Sequence, residues 1–246
     1  MNPFTVVVPL IPQHDSKIKK LFKTLSCETQ LISEVILCRS ETFMPRWILE
    51  RKFNLLAKHC GLKVPVIVDS IRGVARDGTN RNRGWKIAKA PYVAFMDADD
   101  SYTTNRLEIL HNVFLKFDPD AVIHDYRSSD GDAVFDVGVN LDDIKVSACR
   151  LAEFKKEGDE FFSVCDVEGN PLQIHFAHLT VKTDLRGSIQ FSNRFPAADA
   201  QMTQDLLVLK KSVQYVASKL SGWERDRSIR YKVRLLRGRL SKNFSS

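Results

Sequence analysis

Tyr92-Val93-Ala94-Phe95-Met96-Asp97-Ala98-Asp99-Asp100-Ser101-Tyr102 is the stretch whose reading decides the fold. Five mostly apolar residues follow Pro91 and run directly into three carboxylates. A short, β-prone apolar run of this length predicts a strand buried on both faces. Asp97, Asp99 and Asp100 then crowd together at its carboxyl end. Neighbouring carboxylates repel and raise one another's pKa, and a cation offsets that repulsion. Oxygen donors of this kind suit Mg²⁺, Mn²⁺ or Ca²⁺. Ligands in open α/β sheets bind outside the carboxyl ends of the strands. The plainer alternative is an acidic turn that caps the following helix.

Working outward, short β-rich runs recur at residues 4–8, 34–38, 64–68 and 121–124. Pro9 and Pro12 are expected to stop the first of them. Helical patterns lie between. Ile18, Leu21, Phe22 and Leu25 share one face behind a cap at Asp15 or Ser16. Residues 45–60, 80–90 and 104–117 read as further helices, the first stopped by Gly61. This alternation predicts a parallel, doubly wound α/β sheet with right-handed connections. From 125 to about 169 the pattern weakens into loops and edge strands. Residues 173–181 and 189–191 read as strands. Residues 201–220 read as a helix, with Leu206, Leu209, Val213, Val216 and Leu220 near helical spacing and Asp199 or Thr203 as its cap.

The 246 residues fit one domain with a short appendage, and 43% hydrophobic content provides for a sizeable core. No apolar run approaches the roughly 20 residues that span a bilayer. The N-terminus lacks the basic segment and long apolar run of a signal peptide. Five scattered cysteines without a Cys-x-x-Cys pair predict reduced thiols and a cytoplasmic setting, not a zinc site or disulfide framework.

The net charge of +7 sits in one place. Arg227, Arg230, Lys232, Arg234, Arg237, Arg239 and Lys242 carry it, with no acid among residues 227–246; the rest holds 30 basic against 30 acidic residues. A neutral body argues against nucleic acid as a partner. Residues 1–226 therefore read as the globular domain and 227–246 as a separate basic helix. Ile229, Val233, Leu236 and Leu240 form its apolar stripe between arginines. Such helices lie on anionic membranes, bind partners or phosphates, or pack on their own domain.

Arg81-Asn82-Arg83-Gly84 precedes Met96-Asp97-Ala98-Asp99-Asp100, and later come Phe191, Phe195 and Gln204-Asp205-Leu206. Last comes Gly222-Trp223-Glu224-Arg225-Asp226-Arg227-Ser228. In this order the blocks resemble family 2 glycosyltransferases of the GT-A fold. Two places depart from the family pattern. Cys38-Arg39-Ser40-Glu41 stands where the family often has an Asp pair near the nucleotide base, and Gln204 replaces the usual Glu.

The resemblance implies a GT-A α/β domain with a mostly parallel central sheet. It also implies a metal-dependent, inverting transfer of a sugar from a nucleotide-sugar donor to a saccharide or lipid-linked acceptor. In that reading Asp99, with Asp97, holds Mn²⁺ or Mg²⁺. Asp97, Arg81 and Asn82 face the donor, and Asp205 is the general base. Asp205 is placed in the first turn of its predicted helix, where the macrodipole favours an ionised carboxylate. Arg76 and Arg83 read as surface charges. His175 and His178 read as core or surface residues, and Trp223 as a packed residue or an acceptor-stacking one. Peripheral attachment to the inner face of a membrane through the tail accompanies this reading. Two rivals stand beside it: a GT-A-like scaffold without catalysis, suggested by the altered Asp pair and Gln204, and a transferase acting on modified DNA bases, suggested by the tail.

Overall fold

The computed structural model describes residues 2–129, 138–156, 159–172, 179–192 and 198–224. Four parallel strands form the half of the sheet that the sequence pattern announces: β1 (Phe4–Leu10), β2 (Ile32–Arg39), β3 (Val66–Ser70) and β4 (Tyr92–Phe95), ordered β3-β2-β1-β4. All seven side chains of β1 are buried. Burial on both faces is why these runs read as continuous apolar stretches without alternation. β1 continues through Pro9, which lies opposite Cys38 of β2. The expected stop at Pro9 does not occur because β4 pairs with β1 only as far as Val7. The proline therefore falls beyond the part of the strand bonded on both sides.

Helices cover both faces. α1 (Ile18–Ser26), α2 (Arg46–His59) and α4 (Arg106–Phe117) contribute Leu21, Phe22, Phe53, Leu110 and Phe114 to one apolar cluster. α3 (Asp77–Ile87) and α5 (Ala198–Val208) contribute Trp85, Met202 and Leu206 to the other. Gly84 shows how closely α3 lies on the sheet. A Cβ there would stand 2.4 Å from Val7 Cγ1 and 2.8 Å from Cys38 Sγ.

Beyond β4 the sheet is mixed. β5 is Ser101–Tyr102, β6 Ala121–Ser129, β7 Val146–Ala148, β10 Thr180–Lys182 and β11 Val213–Glu224. The order continues β4-β10-β6-β11-β5, with β7 also on β11. β10 runs antiparallel to both β4 and β6, whereas β11 runs parallel to β6. β8 (Arg150–Lys156) and β9 (Asp159–Cys165) form a separate antiparallel pair.

The expected helix over 201–220 is in fact α5 followed by β11. Lys210 adopts a left-handed φ of 56°. Its N–H bonds Leu207 O at 3.0 Å, and the Lys211 N–H bonds Leu206 O at 2.9 Å. These two bonds are the Schellman pattern that ends a helix. Lysine occupies the position that glycine normally marks, so the stop carried no sequence signal. Val213 and Val216 then face opposite clusters, as alternate sides of a strand covered on both faces require. Residues 189–191 are irregular instead of a strand. Of the strand expected over 173–181, residues 180 and 181 belong to β10, whereas 173–178 with the two histidines, and the basic helix expected over 227–246, lie outside the described residues.

Candidate functional site

The last ladder bond between β1 and the end of β4 is Met96 N–H to Val7 O, 3.0 Å. The chain then turns through the carboxylates. Tyr102, 1% exposed, closes this turn. Its hydroxyl accepts the Asp97 N–H at 2.6 Å and donates to Asp97 O at 3.3 Å. The backbone groups at the end of the strand are thereby satisfied without water, and the loop is fixed.

α3 aims Arg81 at this loop. The Arg81 guanidinium, fully buried, pairs through Nη2 with Asp97 Oδ1. It also lies over the Phe191 ring, 5.9 Å from its centroid. Asn82 uses both ends of its amide on Phe191: Nδ2 donates to Phe191 O and Oδ1 accepts the Phe191 N–H, each at 2.9 Å. Arg81, Asn82 and Asp97 are thus brought together as the sequence suggested. Arg83 is not a surface charge. Its Nη2 lies 2.8 Å from Asp69 Oδ2 and 2.9 Å from Asp69 O, and its Nη1 donates to Asn80 Oδ1 at 2.9 Å. One turn beyond Asn80 on α3, it reaches the end of β3 and braces that face of the helix. Arg76 is exposed.

Asp99 lies on the other side of the loop, beneath the connection from β1 to α1. Its Oδ2 is 3.5 Å from His14 Nε2 and 3.9 Å from Lys17 Nζ. Burial pushes the Asp99 carboxyl above its ordinary value, and the neighbouring Asp97 adds to this; His14 and Lys17 oppose it. The two carboxylates crowd at this loop with Arg81, His14 and Lys17 beside them. Their donors are hard carboxylate oxygens, which fit Mg²⁺ or Mn²⁺ completed by water. Among the described residues no group of three His, Cys, Asp or Glu converges as a metal cage. Asp99 and Asp97 are the residues that would hold the ion. Asp100 is buried at 3% exposure.

His14, Lys17 and Tyr102 were missed as members of this site. Strand adjacency offered a signal for the first two: the loop after β1 must sit beside the end of β4. At the end of β2, Arg39 Nη1 stands 3.4 Å from Asp15 Oδ1, whose other oxygen meets Lys52 at 2.9 Å. Arg39 is 5% exposed, so a buried cation occupies this end of the sheet.

Asp205 is the eighth of eleven residues of α5, near its C-terminal end. The expected first-turn position is therefore corrected, and the helix N-terminus does not stand beside this carboxylate. The half-buried Asp205 Oδ1 accepts a 2.7 Å bond from Gln201 Nε2. Its connection to the carboxylate loop is indirect. Met202 and Leu206 of α5 share an apolar cluster with Phe191, which touches Arg81 and Asn82.

A doubly wound, mostly parallel sheet with paired carboxylates at the end of β4 is consistent with the GT-A fold. Residues 58–164 match the family model "Glycosyl transferase family 2", a span that takes in the Arg81–Gly84 and Asp97–Asp100 segments. S. aureus TarS 1–349 superposes with a TM-score of 0.62 at 16% identity, covering 89% of this chain. TarS 1–349 in complex with UDP-GlcNAc superposes with a TM-score of 0.61 at 15% identity over 92% of this chain. The complex with UDP gives 0.60 at 15% identity over 90%. At these identities the likeness is one of fold. The chain spans about 60% of the length of those structures. No curated protein sequence matches it.

Proposed function

We propose that this chain is a metal-dependent, inverting glycosyltransferase. It moves a sugar from a nucleoside-diphosphate sugar to a hydroxyl of a glycan or lipid-linked saccharide. The observation that carries this reading is the Asp97–Asp99 pair at the carboxyl end of β4, with Arg81 buried behind it. Two crowded carboxylates bordered by Arg81, His14 and Lys17 suit a ligand that brings a divalent cation and a diphosphate together. When bound, the cation offsets the charge that grows on the leaving diphosphate. Arg81 holds Asp97 in position for the donor, and Asn82 acts through the Phe191 segment it ties to α3. Asp205 takes the acceptor proton as general base. Contact of residues 227–246 with a membrane, and a cytoplasmic setting, belong to the same reading.

Thermal denaturation with UDP-GlcNAc, the ligand named with the TarS complex, tests it alongside other nucleotide sugars, each with and without Mn²⁺. A ligand that binds the folded state raises its melting temperature. A Mn²⁺-dependent rise that Asp99→Ala abolishes is the expected result. No rise with any nucleotide sugar would refute the proposal, and a rise unchanged in Asp99→Ala would remove Asp99 from the site.

A further inference from the structure

α2 has an outward face that nothing among the described residues covers. Leu49, Phe53 and Ala57 point into the core at 2% exposure or less. On the opposite side, Trp47 is 64% and Leu55 60% exposed. Trp47, Arg51 and Leu55 follow one another at intervals of four, which stacks them in one row along the helix. The loop entering α2 extends the row, with Phe43 83% and Met44 52% exposed. The neighbouring loop after β3 adds Val74 at 78%. Backbone bonds join the two loops: Glu41 N–H to Gly73 O at 3.1 Å and Thr42 N–H to Ile71 O at 3.3 Å. Large apolar side chains grouped at this exposure mark an interaction surface.

The charges around the row identify what it meets. Arg51, Lys58 and Arg72 are exposed on or beside it, and Arg46 and Lys52 are exposed but paired with Glu50 and Asp15. Glu50 is half-buried and already engaged by Arg46 at 2.9 Å. The surface is therefore cationic as well as aromatic. It repels a second copy of itself, and it repels the basic residues 227–246 of its own chain. An anionic partner with an apolar interior fits both properties. Tryptophan and phenylalanine rest at the level of lipid headgroups, while lysine and arginine meet anionic lipid.

We infer that the α2 face, with Phe43, Met44, Trp47 and Val74 at its tip, is a docking surface for an anionic lipid bilayer. Its loops join the carboxyl ends of β2 and β3, on the same edge of the sheet as Asp97 and Asp99. Docking would hold that edge beside the membrane, where an acceptor carried on a lipid is presented. The inference concerns adsorption and stands whether or not sugar transfer is confirmed.

The test is flotation of the full chain with phosphatidylcholine vesicles and with phosphatidylcholine–phosphatidylglycerol vesicles at 7:3. Binding is expected only to the second, weakening as salt is raised. Phe43→Ser with Trp47→Ser, and separately Arg51→Glu with Lys58→Glu, are each expected to lower partitioning roughly tenfold or more. These side chains are exposed, so the variants keep the fold, which circular dichroism checks. Trp47 gives a second readout. Brominated lipid should quench tryptophan emission in the wild type and leave it unquenched in Trp47→Phe, whose remaining tryptophans are Trp85 and Trp223. Absence of flotation overturns the inference. Flotation undiminished in both variants assigns binding to another part of the chain and overturns it equally. So does concentration-dependent dimerisation that Phe43→Ser with Trp47→Ser abolishes.

Discussion

Replacing Glu28 with glutamine should make the protein more stable at pH 8 and change little at pH 4. Glu28 follows α1 and is 3% exposed. Its Oε1 accepts the Glu108 N–H of the first turn of α4 at 2.8 Å, so a residue far back in the chain caps that helix. Burial raises the Glu28 carboxyl from 4.5 to about 7, against the opposing pull of the Glu108 and Leu107 N–H groups and of Arg106. The folded state thus binds a proton that the unfolded chain releases near pH 4.5. The stability this contributes is complete below the unfolded value and lost as pH rises through the folded one. A shift of about 2.5 units at 1.36 kcal/mol per unit corresponds to roughly 3 kcal/mol, most of it lost between pH 5 and 7.5. Glutamine keeps the acceptor oxygen and carries no charge at any pH. Urea denaturation of both proteins at half-unit steps from pH 4 to 8.5 measures the effect. The expected outcome is a wild-type curve that falls away from the Glu28→Gln curve by about 2–3 kcal/mol across that window. Parallel curves would refute the raised carboxyl and the reasoning built on it.

Three further outcomes are expected. Gly84→Ala must fit a Cβ 2.4 Å from Val7 Cγ1, so overpacking should destabilise by about 1–3 kcal/mol, measured by chemical denaturation. Tyr102→Phe removes the hydroxyl that accepts the Asp97 N–H and should cost about 1–3 kcal/mol, read as a lowered urea midpoint; an unchanged midpoint would show that the bond adds nothing. Asp205→Asn should abolish transfer while leaving the Mn²⁺-dependent donor shift intact; loss of donor binding would recast Asp205 as a structural residue.

The parts of the fold that were legible in the sequence share one physical property. β1 is buried on both faces and β2 and β4 nearly so, so their cores appear as apolar runs, and α1 carries one apolar stripe of Ile18, Leu21, Phe22 and Leu25. The carboxylates were legible for the same reason, because a strand so plainly apolar has an unmistakable end. The Arg81–Asp97 pairing was anticipated only as proximity, through the family resemblance; the buried geometry came from α3 lying almost in contact with β1 at Gly84.

What was not legible depends on backbone states and on pairings between distant residues. Lys210 in a left-handed conformation leaves no trace in composition, and the residues after it happen to repeat near helical spacing. That single unmarked turn moved Asp205 from the start of a long helix to the end of a short one and removed the dipole argument for its ionisation. The buried polar contacts around α4 were equally hidden. Arg106 donates to His124 Nε2 at 2.8 Å and lies 5.3 Å from the centre of the Tyr102 ring, whose hydroxyl clamps Asp97. Burial lowers Arg106 to about 10 yet leaves it a cation at neutral pH, so its charge stands behind the carboxylate loop. The acidic loop is therefore bordered by Arg106 as well as by Arg81, His14 and Lys17. Cations fixed in the protein allow these carboxylates to be held close together, which is the preorganisation that the proposed diphosphate site would need.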